Sequence, residues 1–172
     1  PNQVLIKVEA FGLNFADVMA RLGLYKAAPP LPAILGYDVV GKIEAIGAQV
    51  NHVKLGDRVI ALTKFGGYAE FALADNEVVY KIPTSFSAGV AVALATQYST
   101  AYFLSHNMAN LQENDTVLIH AAAGGVGTAL VQMALYKKCI VFGTCGSQEK
   151  VAYLKKNGVQ YPINYRKNDF EE

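Results

Sequence analysis

Apolar positions keep one rhythm in the first half of this chain and another in the second. Up to about residue 82 the apolar runs are short, alternate in part with polar residues, and stop at glycine or aspartate. Residues 4–10 form one such run. Residues 38–47 form a second, with Gly41 where a bend or bulge is expected. Residues 58–62, 67–72 and 78–82 follow at short spacing, separated by Gly56-Asp57 and Gly66-Gly67. Short strands divided by such turns predict a compact β-barrel. Between the first two strands, residues 14–24 read as a helix closed by Gly23, and Pro29-Pro30-Leu31-Pro32 reads as a loop.

Pro83 and Ser87 mark the change of rhythm, with Ser87 as a helix N-cap. Two helical stretches and a loop at 110–115 lead into a βαβαβ pattern. Its predicted strands are 116–120, 139–144 and 160–165; its helices are 125–137 and 148–157, the second closed by Gly158. Strands alternating with helices predict a parallel sheet with right-handed crossovers. The fold class is therefore α/β: a barrel domain over residues 1–86, then the first half of a doubly wound parallel domain over 87–172. The pattern stops at Asn168-Asp169-Phe170-Glu171-Glu172, at the start of what reads as a third helix. A doubly wound dinucleotide fold has two such halves, and the chain opens at Pro1 with no initiator Met. The expectation is a piece of a longer protein.

Composition narrows this picture. In 172 residues, 52% are hydrophobic and 17% charged, enough for a core and too apolar for disorder. Net charge is +1 and no Lys/Arg run exceeds a pair, so nucleic acid is not expected as a partner. Cys139 and Cys145 have the spacing of neither a redox pair nor a zinc ribbon, and read as reduced core thiols of a cytoplasmic protein. Residues 82–112 carry no Asp, Glu, Lys or Arg. Gln97, Ser99, Thr100, Ser105, His106 and Asn107 interrupt that stretch, which favours helices buried between domains over a membrane span.

The candidate chemistry sits at residues 120–127, His-Ala-Ala-Ala-Gly-Gly-Val-Gly, between a predicted strand and a predicted helix. Such a turn binds a dinucleotide. Gly124 lets the backbone approach a pyrophosphate, Gly127 lets helix and strand pack closely, and the helix N-terminus offers N–H groups to an anion. Ala123, Gly124, Gly125, Val126 and Gly127 are the cofactor candidates, although the first small position is alanine rather than glycine. The following strand ends Thr144-Cys145-Gly146-Ser147 with no acid to bind a ribose 2′-hydroxyl. Ser147 and Lys150 are placed to take a 2′-phosphate, which favours NADP(H) over NAD. The plainer alternative is that Ser147 caps a helix and Lys150 is a solvated charge.

Several segments together resemble the quinone oxidoreductase branch of the medium-chain dehydrogenase/reductases, the VAT-1-like proteins included. They are residues 12–17 (Gly-Leu-Asn-Phe-Ala-Asp), 23–25 (Gly-Leu-Tyr), 35–38 (Leu-Gly-Tyr-Asp), 56–59, 66–70, 120–127 and 163–166 (Ile-Asn-Tyr-Arg). The resemblance implies a GroES-like barrel followed by a Rossmann domain, with NADPH in the cleft between them. It also implies reduction of quinones or α,β-unsaturated carbonyls, commonly by homodimers. By the same resemblance Asn14 lies near the nicotinamide, Tyr25 near the substrate, Thr100 at the nicotinamide end, Lys150 on the 2′-phosphate and Tyr165 by the adenosine phosphate. Asn14 and Tyr25 are then the catalytic candidates, as donors to the developing anion. Asn14 capping its helix, Thr100 bonding back along its own, and rim tyrosines that merely pack are the structural alternatives. Met19 stands where some relatives carry a tyrosine.

The alcohol-dehydrogenase branch takes zinc from a Cys and a His at positions resembled here by Asn14 and Tyr37. An amide and a phenol are poor substitutes. The loop at 59–67 has no cysteines for a structural zinc, and His52, His106 and His120 pair with no ligand at metal spacing, so no metal is expected. The alternative function is an NADPH-binding structural or membrane-associated protein with little turnover. Nothing in these residues by itself shows a membrane contact.

Overall fold

The computed structural model describes residues 1–167. Its first five strands are β1 (Gln3–Phe11), β2 (Asp38–Ile46), β3 (Arg58–Leu62), β4 (Phe71–Asp75) and β5 (Val79–Lys81), and every pairing among them is antiparallel. They make one sheet in the order β4-β1-β2-β3-β5, curled so that β3 and β4 also touch. Alternation explains the inner face. Val59 and Ala61 of β3, and Ala72 and Ala74 of β4, point inward to meet Val4, Ile6, Val39, Ile43 and Val79. Val50 and Val53, from the loop before β3, close this core. A fully buried valine or isoleucine contributes about 1.5–3 kcal/mol. The expected irregularity is present: the β1–β2 register shifts between Val8 and Ala10, opposite Gly41. A Cβ at Gly41 would strike the Lys7 carbonyl, so only glycine permits that approach.

Helix α1 (Phe15–Arg21) is shorter than the predicted 14–24. The Gly23 and Leu24 N–H groups turn back to Ala20 and Met19, at 3.0 and 2.9 Å, and end it. The strand predicted at 67–72 lies instead at Phe71–Asp75. The backbones of Gly66, Gly67 and Tyr68 are spent on Ile34, Gly36 and Leu35, at 2.9, 3.1 and 2.9 Å, and are unavailable to the sheet. Helix α2 (Ala88–Ala93) packs on β1 and β2, with Ser87 as its N-cap. The chain divides into compact units at Thr96/Gln97, inside the helical run, whereas the composition shift lies near Ser87.

In the second unit, β6 (Thr116–Ile119), β7 (Ile140–Cys145) and β8 (Tyr161–Asn164) form a parallel sheet in chain order. Helices α4 (Gly125–Tyr136) and α5 (Gln148–Lys156) make the crossovers, within a residue or two of their predicted bounds. They follow α3 (Ser99–Tyr102), which continues into a π-helical stretch, Phe103–Met108. Ile119, Val131, Ala134, Val141, Val151 and Leu154 form the core, with both cysteines buried as free thiols. Burial, ahead of any charge, pushes the Cys139 thiol up. Gly158, at φ 87°, closes α5 as expected. No helix among the described residues is long and apolar enough to cross a membrane. The third helix expected to start at Asn168 lies outside the described residues.

Candidate functional site

The glycine turn of the second unit runs from β6 into α4. Its entrance is fixed by Thr144 of β7. Ala122 N–H donates to the Thr144 carbonyl at 2.9 Å and Ala121 N–H to its Oγ1 at 3.3 Å, while His120 Nδ1 lies 3.3 Å from the same hydroxyl. Ala121 adopts φ 49°, a left-handed conformation that costs a non-glycine residue about 1–2 kcal/mol. The two Thr144 contacts hold it there. Gly124 N–H then bonds to Ala121 O at 2.8 Å, and Thr128 N–H makes the first helical bond, to Gly124 O, at 2.8 Å. The N–H groups of Gly125, Val126 and Gly127 precede that bond at the positive end of a twelve-residue helix.

The two key glycines have separate roles. A Cβ at Gly127 would collide with Ala121 O and sit 2.7 Å from Ala122 Cα, so this glycine serves packing. A Cβ at Gly124 would meet only Ala121 O, at 3.1 Å, and its other side is open. Beside Gly124 is a cavity of about 80 Å³, lined also by Ala121, Ala123, Cys145, Gly146, Lys150 and Tyr165. A second cavity, of about 230 Å³, shares Ala123 and Lys150 and adds Glu149 and Tyr153. The structure therefore gathers Ala123, Gly124, Lys150 and Tyr165 around one space. A helix N-terminus, an ammonium and a phenol suit a phosphorylated dinucleotide, with Glu149 the one carboxylate at the margin. Ser147 caps α5, its Oγ accepting from Lys150 N–H at 3.2 Å, and does not line either cavity. Thr100 is exposed on α3.

In the first unit, Asn14 is buried at the N-cap of α1. Its N–H donates to Asp17 Oδ2 at 3.1 Å, and its Nδ2 donates to Asp38 Oδ1 at 2.9 Å. Gly36 N–H donates to Asp17 Oδ1 at 3.0 Å, and Thr96 N–H to Asp38 Oδ2 at 3.2 Å. Asp17 and Asp38 are both buried, and neither joins an ion pair among the described residues. N–H donors satisfy them instead. Burial first, and Asp17 second, push the Tyr68 phenol well above its usual range. The Tyr37 phenol is pushed up to about 12, by burial first, then by hydrogen bonding to Tyr25 and by the charges of Tyr25 and Asp17. Tyr25 and Tyr37 meet edge to face, with centroids 6.1 Å apart. Among the described residues no group of three His, Cys, Asp or Glu could hold a metal ion.

Sequence reasoning missed Thr144, Asp17, Asp38 and the pairing of Tyr37 with Tyr25. The Asn14/Asp17 spacing is that of a capping box and was the available signal. An aspartate opening the apolar run at 38–40 was another.

Residues 1–84 match the alcohol dehydrogenase GroES-like domain. The human synaptic vesicle membrane protein VAT-1 homolog is 41% identical over 171 residues, covering 99% of this chain and 43% of that protein. The quinone oxidoreductase of Lama guanicoe is 41% identical over 168 residues, covering 97% of this chain and 51% of that protein. The crystal structure of Escherichia coli quinone oxidoreductase complexed with NADPH superposes with a TM-score of 0.92 at 32% identity, covering 98% of this chain and 52% of that one. The chain spans about half the length of the curated relatives it matches.

Proposed function

Because the chain belongs to the medium-chain dehydrogenase/reductase family, we propose that it binds NADP(H) at the β6–α4 turn and serves zinc-independent reduction of quinones or α,β-unsaturated carbonyls. The observation that carries this reading is the shared cavity of Gly124, Lys150 and Tyr165 at the α4 N-terminus. Gly124 leaves room for a pyrophosphate, and the N–H groups of Gly125, Val126 and Gly127 face its charge. Lys150 neutralises a 2′-phosphate as a point charge, and the Tyr165 hydroxyl hydrogen-bonds to the adenosine side. When bound, the cofactor supplies the hydride. Tyr25 and Asn14 are then the donors that stabilise charge on the substrate oxygen. With Asn14 and Tyr37 in place of metal ligands, that stabilisation comes from hydrogen bonds. Residues 1–86 form the catalytic domain of this proposal and 87–172 the first half of the NADP-binding domain. The working form is a cytoplasmic homodimer.

The test is NADPH consumption by the full protein with a quinone and with an enone, alongside a zinc assay. NADPH is expected to be used faster than NADH. Stoichiometric zinc overturns the zinc-independent chemistry. Tight NADPH binding without turnover favours a second reading, an NADPH-binding structural or membrane-associated protein. The supporting observation for that reading is the printed name of the human relative, a synaptic vesicle membrane protein.

A further inference from the structure

We propose that Arg166 is a second cation for the cofactor's 2′-phosphate, reaching it from the segment after β8 while Lys150 reaches it from α5. The proposal rests on the NADP(H) reading above and adds to it a residue that tells a ribose phosphate monoester from a ribose hydroxyl. β7 ends at Cys145, and the next residue, Gly146, lines the cavity shared by Gly124, Lys150 and Tyr165. A Cβ at Gly146 would lie 2.6 Å from the Tyr165 hydroxyl, 3.1 Å from Tyr165 Cζ and 3.6 Å from Arg166 Nε. The phenol and the guanidinium therefore both come over the end of β7, through the space a side chain at 146 would take. In an NAD site the end of this second strand carries the acid for the ribose 2′-hydroxyl. Here a cation stands there instead.

Backbone contacts hold the segment in place. Tyr165 N–H donates to the Cys145 carbonyl at 3.1 Å, Arg166 N–H to Oδ1 of the buried Asn164 at 3.1 Å, and Lys167 N–H to the Asn164 carbonyl at 3.0 Å. Arg166 is thus fixed at its backbone and exposed at its side chain, and it joins no ion pair among the described residues. A phosphate monoester carries about −1.5 to −2 charges at neutral pH, more than one ammonium offsets. Glu149 lines the neighbouring cavity with Lys150 and adds a further negative charge. A guanidinium beside Gly146 supplies the missing positive charge and two parallel N–H donors for two phosphate oxygens. A ribose hydroxyl offers neither the charge nor the pair of acceptors.

Calorimetry of the full protein with NADPH and NADH tests this. R166Q should bind NADPH about tenfold more weakly and NADH within about twofold of wild type. R166K keeps the charge without the planar fork and should fall between the two. Titration with 2′-AMP and 5′-AMP separates the 2′-phosphate from a general attraction for anions. R166Q should lose about tenfold for 2′-AMP and keep its affinity for 5′-AMP. Equal losses for NADPH and NADH, or for 2′-AMP and 5′-AMP, overturn the assignment, as does an unchanged NADPH affinity in R166Q. If the wild type binds NADPH no more tightly than NADH, the NADP(H) reading itself has failed, and the role of Arg166 falls with it.

Discussion

The candidate site in the barrel unit and the one in the parallel-sheet unit are built by opposite means. Around Asn14 the work falls to side chains: two buried carboxylates, a buried amide and several half-buried phenols, with four N–H donors distributed over the two aspartates. At the β6–α4 turn it falls to backbone, and to the absence of side chains at Gly124 and Gly127. The first buries its own anions and satisfies them internally, without an ion pair among the described residues. The second leaves the first N–H groups of α4 without intrahelical partners. A side-chain cluster of this kind is sensitive to chemistry, because removing one group strands its partners. A backbone turn is sensitive to volume, and only in the directions where a Cβ would meet something solid.

Breaking the aspartate cluster should have the largest effect. D38L removes the buried carboxylate that accepts from Asn14 Nδ2 and Thr96 N–H and should cost roughly 3 kcal/mol, read as a lower urea midpoint at unchanged slope. A loss below about 0.5 kcal/mol, as at an ordinary surface site, would make the cluster incidental. The glycines should then separate from each other. G127A forces a Cβ into the Ala121–Ala122 backbone and should destabilise by about 2 kcal/mol. G124A should leave stability within about 0.5 kcal/mol and weaken NADPH binding about tenfold by calorimetry, or about 1.4 kcal/mol. The reverse pattern would undo the division of packing from access. K150A should raise the KM for NADPH about tenfold and leave NADH nearly unchanged, a loss of about 1.4 kcal/mol; equal losses for both cofactors remove the 2′-phosphate assignment.

The smallest effect belongs to a surface ion pair that is part of neither site. The Lys81 ammonium, 2.7 Å away, and then the Lys54 N–H hold the Asp57 carboxyl below its usual value. A depressed folded pKa gives stability that is present above the unfolded value, about 3.9 for aspartate, and is lost as pH falls through the folded one. D57N should therefore melt slightly below wild type at neutral pH, with the gap closing as pH drops below about 4. A gap that persists in acid would point to lost packing rather than charge.

Much of the backbone turn was readable beforehand, because its determinants lie within a few residues of one another. Gly127 lets α4 pack closely on the turn as the motif implies, Gly158 ends α5, and Ser147 caps the helix that follows it. The parallel strands fall close to their predicted bounds for the same reason: length and flanking turns are local quantities.

What the sequence determined by itself was the change of rhythm, the two kinds of sheet, the position of the glycine turn and the residue types available for chemistry. What only the tertiary structure decided were the partnerships. Asn14 meets Asp38 across 24 residues, the turn meets Thr144 across 23, and Gly36 meets Asp17 across 19. The displaced strand at Phe71–Asp75 belongs with these, since Gly66, Gly67 and Tyr68 took their hydrogen bonds from a loop far back in the chain. Periodicity and capping report neighbours a few residues apart. A buried polar group is satisfied by whichever donor the folded core brings beside it, and that choice is made in space rather than along the chain.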